Sequence, residues 1–405
     1  MHIGFLTPEY LFDNNQTGGL GVYVKKTAQE LCKRGHKVSI FLESTENEIF
    51  RDGRVKIYKI KCPPLYYGLN SKSLIKQVWR FFCILRASYA VRVKVLSIHS
   101  KYHLDILQTT NYLAPGFFLR KINQIPLVSR VSSYAPLFHS GFGLPISFGD
   151  HLIDKLEINQ TKAVYHGYSP SHYMIKVYKK FENVKLEYLP TAIERISTKK
   201  FNTRVYKDLL KEIRTRNYIL YFGSLSRLKG VDLLANVINV IAPKYKDLGF
   251  VFAGRDYGMP NGELVSNFVL RKCSKYRSRI AFVPYQPHLS LYPIIKGANV
   301  VVLPSRVDNS PNTSLEALSL GAIVVGTKNS SIEESILHNK TGFLADNASS
   351  KSIALMILKA LNMTKEEKMR MKSRIKDNIK SILKEDRIGM LLTYYYKVIV
   401  LDKIK

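Results

Sequence analysis

Residues 300–327 read VVVLPSRVDNSPNTSLEALSLGAIVVGT. The β-branched run at their start predicts a buried strand, and a loop rich in turn residues follows it. Apolar residues then recur with helical spacing over Thr313–Leu320, and Gly321 supplies a C-terminal stop. A second apolar run, Ala322–Gly326, completes the order strand, loop, helix, strand. This order predicts one βαβ unit of a parallel sheet.

The same alternation extends outward from this stretch in two series. Further strands are predicted at His2–Leu6, Lys37–Leu42, Val55–Ile60, Ile106–Gln108, Leu127–Val131, Tyr218–Phe222, Gly249–Ala253, Ile280–Val283 and Asn299–Leu303. Further helices are predicted at Tyr23–Lys33, Val231–Ile241 and Leu289–Lys296. A chain of 405 residues is too long for one ordinary core, so two domains are expected. The polar segment Ile193–Arg216 separates the two series and is interpreted as their linker.

The chain is strongly basic, with 62 Lys and Arg against 31 Asp and Glu and a net charge of +31. Such an excess favours anionic partners: nucleic acid, acidic lipid or phosphorylated small molecules. The basic residues are spread over both halves and accompany no recognisable nucleic-acid-binding motif, so no nucleic-acid partner is expected.

Several classes of protein are excluded by what the sequence lacks. Cys32, Cys62, Cys83 and Cys273 form no C-x-x-C pair and the histidines form no H-E-x-x-H pair, so no metal site is expected. Scattered thiols fit a reducing compartment. The N-terminus has no signal-peptide pattern, and no uncharged run approaches the ~18 residues that span a bilayer. A cytoplasmic protein is therefore expected, with peripheral membrane contact left open.

Two acidic residues of the opening stretch carry the most specific functional signal. Asp308 lies in the loop after the strand, and Glu316 lies in the first turn of the helix. The backbone NH groups of Asn312, Thr313 and Ser314 would be unpaired at the helix start, which suits a diphosphate. A second interpretation is a capping box running from Thr313 to Glu316, with Asp308 as a common turn residue. Spacing alone favours the cap, because local caps are far commoner than pairs of catalytic acids.

The stretch resembles the donor-binding signature of the family 4 glycosyltransferases, which belong to the group 1 glycosyl transferases and have the GT-B fold. In that signature two acids are separated by seven residues and followed by a small-residue helix and a glycine. Asp308, Glu316, Ala317 and Gly321 occupy these positions here. The resemblance implies that Glu316 binds the donor ribose. It also implies that Asp308, one methylene shorter than the usual Glu, contacts the donor sugar.

A second motif, GSLSRLKG at residues 223–230, follows a predicted strand. Gly223 lets the backbone approach a phosphate, and Lys229 can place a compact positive charge beside a leaving diphosphate. The family pattern resembles G-R-x-x-x-x-K-G, so Ser224 stands in place of its arginine. Arg227 is a candidate replacement for that arginine. An exposed basic turn without a ligand is the alternative.

The family's fold implies roles for residues in both halves of the chain. The first domain, 1–200, would be the acceptor side, and the second, 201–385, would bind the donor. Two Rossmann-like domains would face a central cleft with their parallel sheets, and a C-terminal helix at 386–405 would cross back onto the first domain. The implied donor-binding residues are Gly18, Gly19, Gly223, Ser224, Arg227, Ser310, Pro311, Asn312, Thr313 and Ser314.

Four further positions are expected at the walls of the site by the same resemblance. Arg130 and Ser132 lie where the family often has an arginine and then a histidine against the donor sugar. Gly254, in AGRD, and Tyr285, in VPYQ, lie in loops that resemble those flanking the nucleotide base. A buried core position is the alternative for Tyr285.

The resemblance implies a metal-independent, retaining transfer of a sugar from a nucleotide-diphosphate sugar, with UDP favoured, to a glycan or lipid-linked acceptor. Asp308, Lys229 and Glu316 would be its catalytic residues, and no cofactor is expected. Cell-surface polysaccharide or glycolipid synthesis would be its setting. A nucleotide-sugar epimerase and a non-catalytic nucleotide-sugar-binding subunit remain alternatives.

The segment Ser73–Leu96 predicts a membrane contact. No acidic residue occurs between Asp52 and Asp105, and Lys and Arg alternate there with aliphatic and aromatic residues. One or two basic amphipathic helices in this region would bind an anionic membrane surface electrostatically. The alternative is a partly buried helix whose cations face water.

Overall fold

The computed structural model describes residues 1–12, 18–64, 73–122, 124–143, 145–192, 196, 201–309 and 312–404. Its strands are β1 His2–Thr7, β2 Lys37–Ser44, β3 Glu48–Asp52, β4 Val55–Lys61, β5 Ile106–Thr110, β6 Leu127–Arg130, β7 His166–Ser169, β8 Glu187–Tyr188, β9 Tyr218–Phe222, β10 Gly249–Ala253, β11 Ile280–Val283, β12 Val300–Leu303, β13 Val324–Thr327 and β14 Phe343–Ala345.

The α-helices are α1 Gly19–Lys33, α2 Leu74–Tyr102, α3 Ala135–Phe142, α4 Phe148–Ala163, α5 His172–Glu182, α6 Arg204–Ile213, α7 Val231–Ile241, α8 Val265–Lys272, α9 His288–Gly297, α10 Asn312–Ser319, α11 Ser350–Leu361, α12 Lys365–Lys384 and α13 Arg387–Ile404. Within the described ranges, none of these helices combines the length and apolarity needed to cross a membrane.

The chain divides into two compact units. Unit 1 comprises Met1–Pro136, Pro145–Ala192 and Asp386–Lys405, and unit 2 comprises Leu137–Leu144 and Ile193–Glu385. The division falls eight residues before the predicted boundary at 200. It also assigns the short segment Leu137–Leu144 to unit 2, which sequence patterns did not indicate.

The sheet of unit 1 has eight strands in the order β3-β4-β2-β1-β5-β6-β7-β8. All neighbours are parallel except β3 and β4, which form an antiparallel pair at one edge. The central strands are buried on both faces, as expected of a parallel sheet covered by helices. The Rossmann-like order of β4, β2, β1, β5 and β6 places the strand carboxyl ends on one edge.

Helix α13 completes the core of unit 1 although it is the last element of the chain. Its Tyr394, Tyr395 and Val398 are buried in one cluster with the sheet and α1. The Tyr395 hydroxyl donates to the side-chain oxygen of Gln108 at 2.6 Å, and the Tyr168 hydroxyl donates to the same oxygen at 2.6 Å. The C-terminal segment thus lies in the unit to which the sequence assigned it.

The sheet of unit 2 has six strands in the order β11-β10-β9-β12-β13-β14, all parallel. The predicted strands Tyr218–Phe222, Gly249–Ala253 and Ile280–Val283 agree with the structure residue for residue. Helices on both faces bury one continuous core of aliphatic and aromatic side chains. The α/β prediction, with two Rossmann-like parallel sheets, is confirmed.

Two predicted segments were wrong in detail. Helix α1 begins at Gly19, four residues before the predicted start at Tyr23. The two glycines therefore lie at the start of the helix and not in the loop before it. The supposed linker Ile193–Arg216 contains α6, whose Leu209 and Ile213 are buried in the unit 2 core. Val205, Tyr206 and Leu210 pack beside these two residues, so α6 has a full apolar stripe, which the polar composition of the segment concealed.

Candidate active site

Three loops meet where strands β9, β10 and β12 of unit 2 end, and glycines make their close approach feasible. A Cβ on Gly254 would lie 1.9 Å from the carbonyl oxygen of Gly223, so no side chain fits there. A Cβ on Gly230 would lie 2.0 Å from the carbonyl oxygen of Pro304. Both glycines also have positive φ, which side chains disfavour. The GSLSRLKG loop is therefore held against the ends of both neighbouring strands.

Lys229 and Asp308 form an ion pair at this edge of the sheet, with Nζ 2.5 Å from Oδ2. Ser305 donates its hydroxyl to the same carboxylate oxygen at 3.2 Å, and the backbone NH of Asn309 donates to Oδ1 at 2.9 Å. Asp308 is buried, whereas the lysine side chain keeps about a quarter of its surface exposed. The predicted pair of catalytic residues is thus in direct contact. Asp308 fixes the position of the lysine ammonium.

A second ion pair holds the same two loops together. Arg306 contacts both carboxylate oxygens of Asp232, at 2.6 and 2.9 Å. Its guanidinium also donates to the carbonyl oxygen of Arg227, and its backbone NH donates to that of Leu228 at 2.9 Å. Arg306 therefore ties the loop that carries Asp308 to the loop that carries Lys229. The sequence analysis predicted neither Arg306 nor Asp232. The only sequence feature that could have indicated this pair is that the two opposite charges follow predicted strands.

Glu316 lies inside α10, and the capping-box interpretation was wrong. The helix begins at Asn312, so Thr313 is already helical and cannot act as its N-cap. The Glu316 carboxylate lies 3.7 Å from Nε2 of His288, whose ring is nearly parallel to that of Tyr292. Glu316 keeps about a fifth of its side-chain surface exposed. Its carboxylate therefore faces a partly open surface beside α9.

The start of α10 lies next to the GSLSRLKG loop. An added Cβ at Gly223 would lie 3.6 Å from the Thr313 methyl group, so the two backbones approach closely. Tyr221 donates its hydroxyl to the carbonyl oxygen of Ser224 at 2.7 Å. Burial, with a smaller contribution from the Asp308 carboxylate, raises the pKa of Tyr221 well above its usual value. The tyrosine thus stays neutral and holds the loop.

The remaining predicted donor-binding residues of unit 2 fall into three groups. Asn312 is exposed at the helix start, whereas Ser314 is buried and accepts a hydrogen bond from Ser335 at 3.0 Å. Ser310 and Pro311 lie outside the described residues. Ser314 is therefore placed to stabilise the helix, and Asn312 is the better placed of the two to meet a ligand.

The family pattern has an arginine at the position of Ser224, and Arg227 does not take its place. Its guanidinium donates to the carbonyl oxygen of Gly141 at 3.0 Å. A Cβ on Gly143 would collide with the same guanidinium. Arg227 therefore anchors the segment Leu137–Leu144 within unit 2, and its charge is directed toward that segment.

The two residues expected near the nucleotide base, Gly254 and Tyr285, differ in their surroundings. Gly254 serves the close contact with Gly223, and its NH donates to the carbonyl oxygen of Val283 at 2.9 Å. Tyr285 is exposed, so the alternative of a buried core aromatic was wrong. The sequence did not single out His288, three residues after Tyr285, although it contacts Glu316.

The four predicted residues of unit 1 lie at the carboxyl ends of its strands or at a helix start. Gly18 precedes α1 and Gly19 is its first residue. Arg130 ends β6, is buried and stacks its guanidinium over the ring of Tyr23 at 3.7 Å. Ser132 follows it, and its backbone NH donates to the side-chain oxygen of Asn111 at 2.8 Å.

The buried guanidinium of Arg130 has few hydrogen-bond acceptors around it. Its Nε has no hydrogen-bond acceptor among the described residues, and its side chain donates only a long bond, 3.3 Å, to Thr191. The aromatic ring of Tyr23 partly compensates the buried charge. An anionic ligand would complete this compensation.

A metal centre is not indicated by the side chains that the structure places. Within the described part of the chain, no group of three or more His, Cys, Asp or Glu side chains could hold a metal ion. The cationic group nearest to Asp308 is Lys229, so the charge available at this edge of the sheet comes from a side chain.

The comparison with protein families settles the class of protein to which this geometry belongs. The family model for glycosyl transferases group 1 matches residues 206–378, which include Lys229, Asp308 and Glu316. Residues 206–378 belong to this family. The chain is a glycosyltransferase, and the predicted resemblance is confirmed.

Relatives of the glycosyltransferase span most of its length. A D-inositol 3-phosphate glycosyltransferase of Corynebacterium glutamicum (strain R) is 24% identical over 352 residues, covering 82% of this chain and 80% of that protein. A sucrose-phosphate synthase from Thermosynechococcus elongatus is 16% identical, with a TM-score of 0.77 and 98% of each chain covered.

A third similar protein was solved with a ligand. The structure described as "Trehalose-6-phosphate from E. coli bound with UDP-2-fluoro glucose" is 12% identical to the glycosyltransferase, with a TM-score of 0.73. It covers 98% of this chain and 99% of that one. At these identities the structural likeness shows the fold, and the predicted GT-B fold is confirmed.

Proposed function

We propose that the glycosyltransferase moves a sugar from a nucleotide-diphosphate sugar, with UDP as the nucleotide, to a glycan or lipid-linked acceptor with retention of the anomeric configuration. The observation that carries the proposal is the Lys229–Asp308 ion pair at the strand ends of unit 2. The pair, with the positive charge of Lys229, lies at the strand ends that also carry Gly223, and Gly223 is close to Thr313 at the start of α10, where backbone NH groups would bind phosphate oxygens.

The chemistry requires this charge. Cleavage of the sugar–phosphate bond leaves negative charge on the departing diphosphate, which preorganised donors must stabilise. Lys229, held by Asp308, would donate to the diphosphate, while Asp308 keeps its hydrogen bonds to Ser305 and Asn309. The lysine supplies the charge that a metal would otherwise supply. We therefore expect activity to survive treatment with a chelator.

Glu316 is proposed to bind the ribose of the donor. A carboxylate accepts hydrogen bonds from both hydroxyls of a cis-diol, and Glu316 keeps part of its surface open for this. His288 lies beside it and would meet the same ribose or its base. The choice of UDP is supported by the UDP-sugar that the E. coli structure carries.

Retention is proposed to follow a same-face displacement. A covalent route would require a carboxylate directly under the anomeric carbon. Asp308 does not favour that route, because its carboxylate is engaged by Lys229, Ser305 and Asn309. The leaving phosphate would instead accept the proton of the acceptor hydroxyl on the face from which it departs.

Two acceptor classes compete. A glycan or lipid-linked acceptor would place the enzyme in cell-surface polysaccharide or glycolipid synthesis. A phosphorylated polyol or sugar is the second candidate, favoured by the names of the inositol 3-phosphate glycosyltransferase and of the sucrose-phosphate synthase. The reaction would run in the cytoplasm, since all four cysteines are free thiols and buried.

Thermal unfolding with UDP-, GDP- and ADP-sugars tests the donor. A ligand that binds only the native state at 100 times its Kd stabilises by about 2.7 kcal/mol, so the preferred donor should stand out. Lys229→Ala should bind it less tightly, whereas Lys244→Ala, an exposed lysine beyond the C-terminus of α7, should not. Equal shifts with all three donors, or none, would contradict the proposal.

Product analysis tests the rest. The enzyme is incubated with the preferred donor and either an inositol phosphate or a lipid-linked saccharide, and the anomeric proton coupling of the product is measured by NMR. A product of inverted configuration would overturn the retaining mechanism. Formation of product with only one acceptor class decides between the two.

A further inference from the structure

Helix α2 of unit 1 carries a row of large apolar side chains that face solvent. The exposed fractions are 82% for Ile75, 56% for Trp79, 56% for Phe82, 52% for Tyr89 and 53% for Val93. They follow each other at spacings of three, four or seven residues, so they lie along one side of the helix. We call these five side chains the α2 stripe.

The side of α2 that faces the core is apolar as well. Ala87, Val91, Val95 and Ile98 are buried against the sheet. A surface helix ordinarily presents polar residues to water opposite such a face. Because α2 is apolar on both sides, the α2 stripe is not explained by the folding of unit 1. Contiguous exposed apolar patches of this kind mark interaction sites.

The cations of α2 contribute less than the sequence indicated. Arg80 is buried and its guanidinium contacts the Asp150 carboxylate at 2.7 Å. The Lys94 ammonium lies over the ring of Tyr58 at 5.5 Å. Lys76 and Arg86 remain exposed along the helix. Apolar surface therefore dominates the exposed side of α2, and cations accompany it.

Helix α4 packs against the N-terminal end of α2. Gly149 packs against Gln77 so closely that an added Cβ would lie 2.7 Å from the Gln77 Cβ. The backbone NH of Gly149 donates to the Gln77 side-chain oxygen at 3.2 Å. Gln77 lies two residues from both Ile75 and Trp79, so α4 covers the side of α2 opposite the α2 stripe. The exposed apolar row therefore comes from α2 alone.

We propose that the α2 stripe inserts into the interface of a membrane with anionic headgroups, with α2 parallel to its plane. Trp and Tyr prefer the level of the headgroups, where an apolar ring and a polar edge are both accommodated. Lys76 and Arg86 would meet the headgroup phosphates, and the absence of acidic residues from 53 to 104 removes repulsion. The occupant is a lipid surface because charge complementarity accompanies the apolar row.

The protein contains a built-in probe of this contact. Trp79 is its single tryptophan and lies in the middle of the exposed row. Vesicles of phosphatidylcholine and phosphatidylglycerol should shift its fluorescence emission to shorter wavelength, and brominated lipid should quench it. Vesicles of phosphatidylcholine alone should do so much less. Insertion moves the indole out of water, whereas adsorption by charge leaves it exposed.

Variants separate insertion from adsorption. Ile75→Ser combined with Phe82→Ser removes two exposed apolar side chains and should lower the partition coefficient about tenfold or more, since binding scales with buried apolar area. Leu355→Ser on α11 is the matched control, because Leu355 is 60% exposed but lies in unit 2. It should bind vesicles as the unaltered protein does. Circular dichroism before lipid is added verifies that the variants are folded.

Several outcomes would overturn the proposal. Binding without a Trp79 emission shift, unchanged in the Ile75/Phe82 variant, would show adsorption by charge. Concentration-dependent dimerisation that the same variant abolishes, without vesicle binding, would assign the row to a second copy of this chain. None of these measurements requires a donor or acceptor. Failure here would therefore leave the proposed transfer reaction untouched, and loss of transfer would leave this inference untouched.

Discussion

The Lys229 ammonium lies 2.5 Å from the Asp308 carboxylate, although 79 residues separate them in the chain. The resemblance alone expected Asp308 at the donor sugar. In the structure its carboxylate is buried and engaged by the lysine, by Ser305 and by the backbone of Asn309. A role in positioning Lys229 follows directly from these contacts.

Substitution of the two residues, alone and together, distinguishes positioning from sugar contact. Lys229→Ala should lower kcat about 100- to 1,000-fold, as removal of one donor to a developing anion does. Asp308→Asn should cost less, and the double variant should cost no more than Lys229→Ala alone, because the two act as one unit. Steady-state kinetics measures all three. Additive losses would show that Asp308 contacts the sugar independently.

Arg306→Ala should weaken both stability and catalysis. It leaves the Asp232 carboxylate partly buried without its bidentate partner, and the loss of one member of such a pair costs about 3 kcal/mol. The GSLSRLKG loop would also lose its tie to the Asp308 loop. Denaturant unfolding and kcat are the measurements. Arg271→Ala, which breaks the exposed pair with Glu263, should change neither; a similar loss there would remove the special role of Arg306.

Gly254→Ala should abolish donor binding by steric collision. Its Cβ would lie 1.9 Å from the Gly223 carbonyl oxygen, so one of the two loops must move. Gly262→Ala is the control, because Gly262 also has a positive φ but no atom lies within 4 Å of its added Cβ. It reports backbone strain alone. Calorimetric titration with the preferred nucleotide sugar should show loss of binding for Gly254→Ala only.

Glu316→Ala should weaken the binding of UDP and of UDP-sugar by similar factors, because both contain the ribose. Loss of a charged hydrogen-bonding partner of this kind costs about 2 kcal/mol, or roughly 30-fold in Kd. Titration calorimetry measures both ligands. A loss confined to the UDP-sugar would place Glu316 at the sugar. An unchanged thermal unfolding temperature without ligand would show that the variant is folded.

Glu43 predicts a dependence of stability on pH. Burial raises the pKa of this carboxyl to about 8, and neither oxygen has a hydrogen-bond partner among the described residues. The carboxyl is therefore protonated in the folded chain and ionised in the unfolded chain between about pH 4.5 and 8. The native state binds more protons there, so its stability should fall as pH rises through this window and level off above it.

Glu43→Gln removes this dependence. At about 1.4 kcal/mol per pKa unit, the variant should be more stable than the unaltered protein by a few kcal/mol at pH 8, with the difference shrinking toward pH 4.5. Unfolding by urea at several pH values gives the comparison. Glu212→Gln, at an exposed position of α6, is the control. A difference between Glu43→Gln and the unaltered protein that does not vary with pH would contradict the assignment.

Strands β9 and β10 of unit 2 were predictable because each is buried on both faces. Burial on both sides selects continuous β-branched and aliphatic runs, and Tyr218–Phe222 and Gly249–Ala253 are such runs. Helix α6 was missed because its exposed positions are almost all charged or polar. For α2 the helical spacing was visible, but a helix that is apolar on two sides does not reveal which side is buried.

The sequence predicted individual residues of the candidate site, but not which of them contact each other. Gly223, Lys229 and Glu316 each belong to a local pattern of residue types, which a sequence displays. The Arg306–Asp232 pair joins residues 74 positions apart, and many other opposite charges could have paired. Arg227 shows the converse: its charge suggested a phosphate ligand, yet the fold directs it to Gly141.

The burial of α13 in unit 1 has a consequence for how the protein is made. The sheet of unit 1 needs Tyr394, Tyr395 and Val398 to complete its core, and these lie more than 200 residues beyond Ala192, where the N-terminal part of the unit ends. A ribosome adds about 5–20 residues per second, so this gap lasts roughly 10–40 seconds. Meanwhile nearly all of unit 2 is synthesised as one continuous segment. The half of the enzyme that leaves the ribosome first is therefore the last to complete its core, and until then the apolar surface that α13 covers stays exposed.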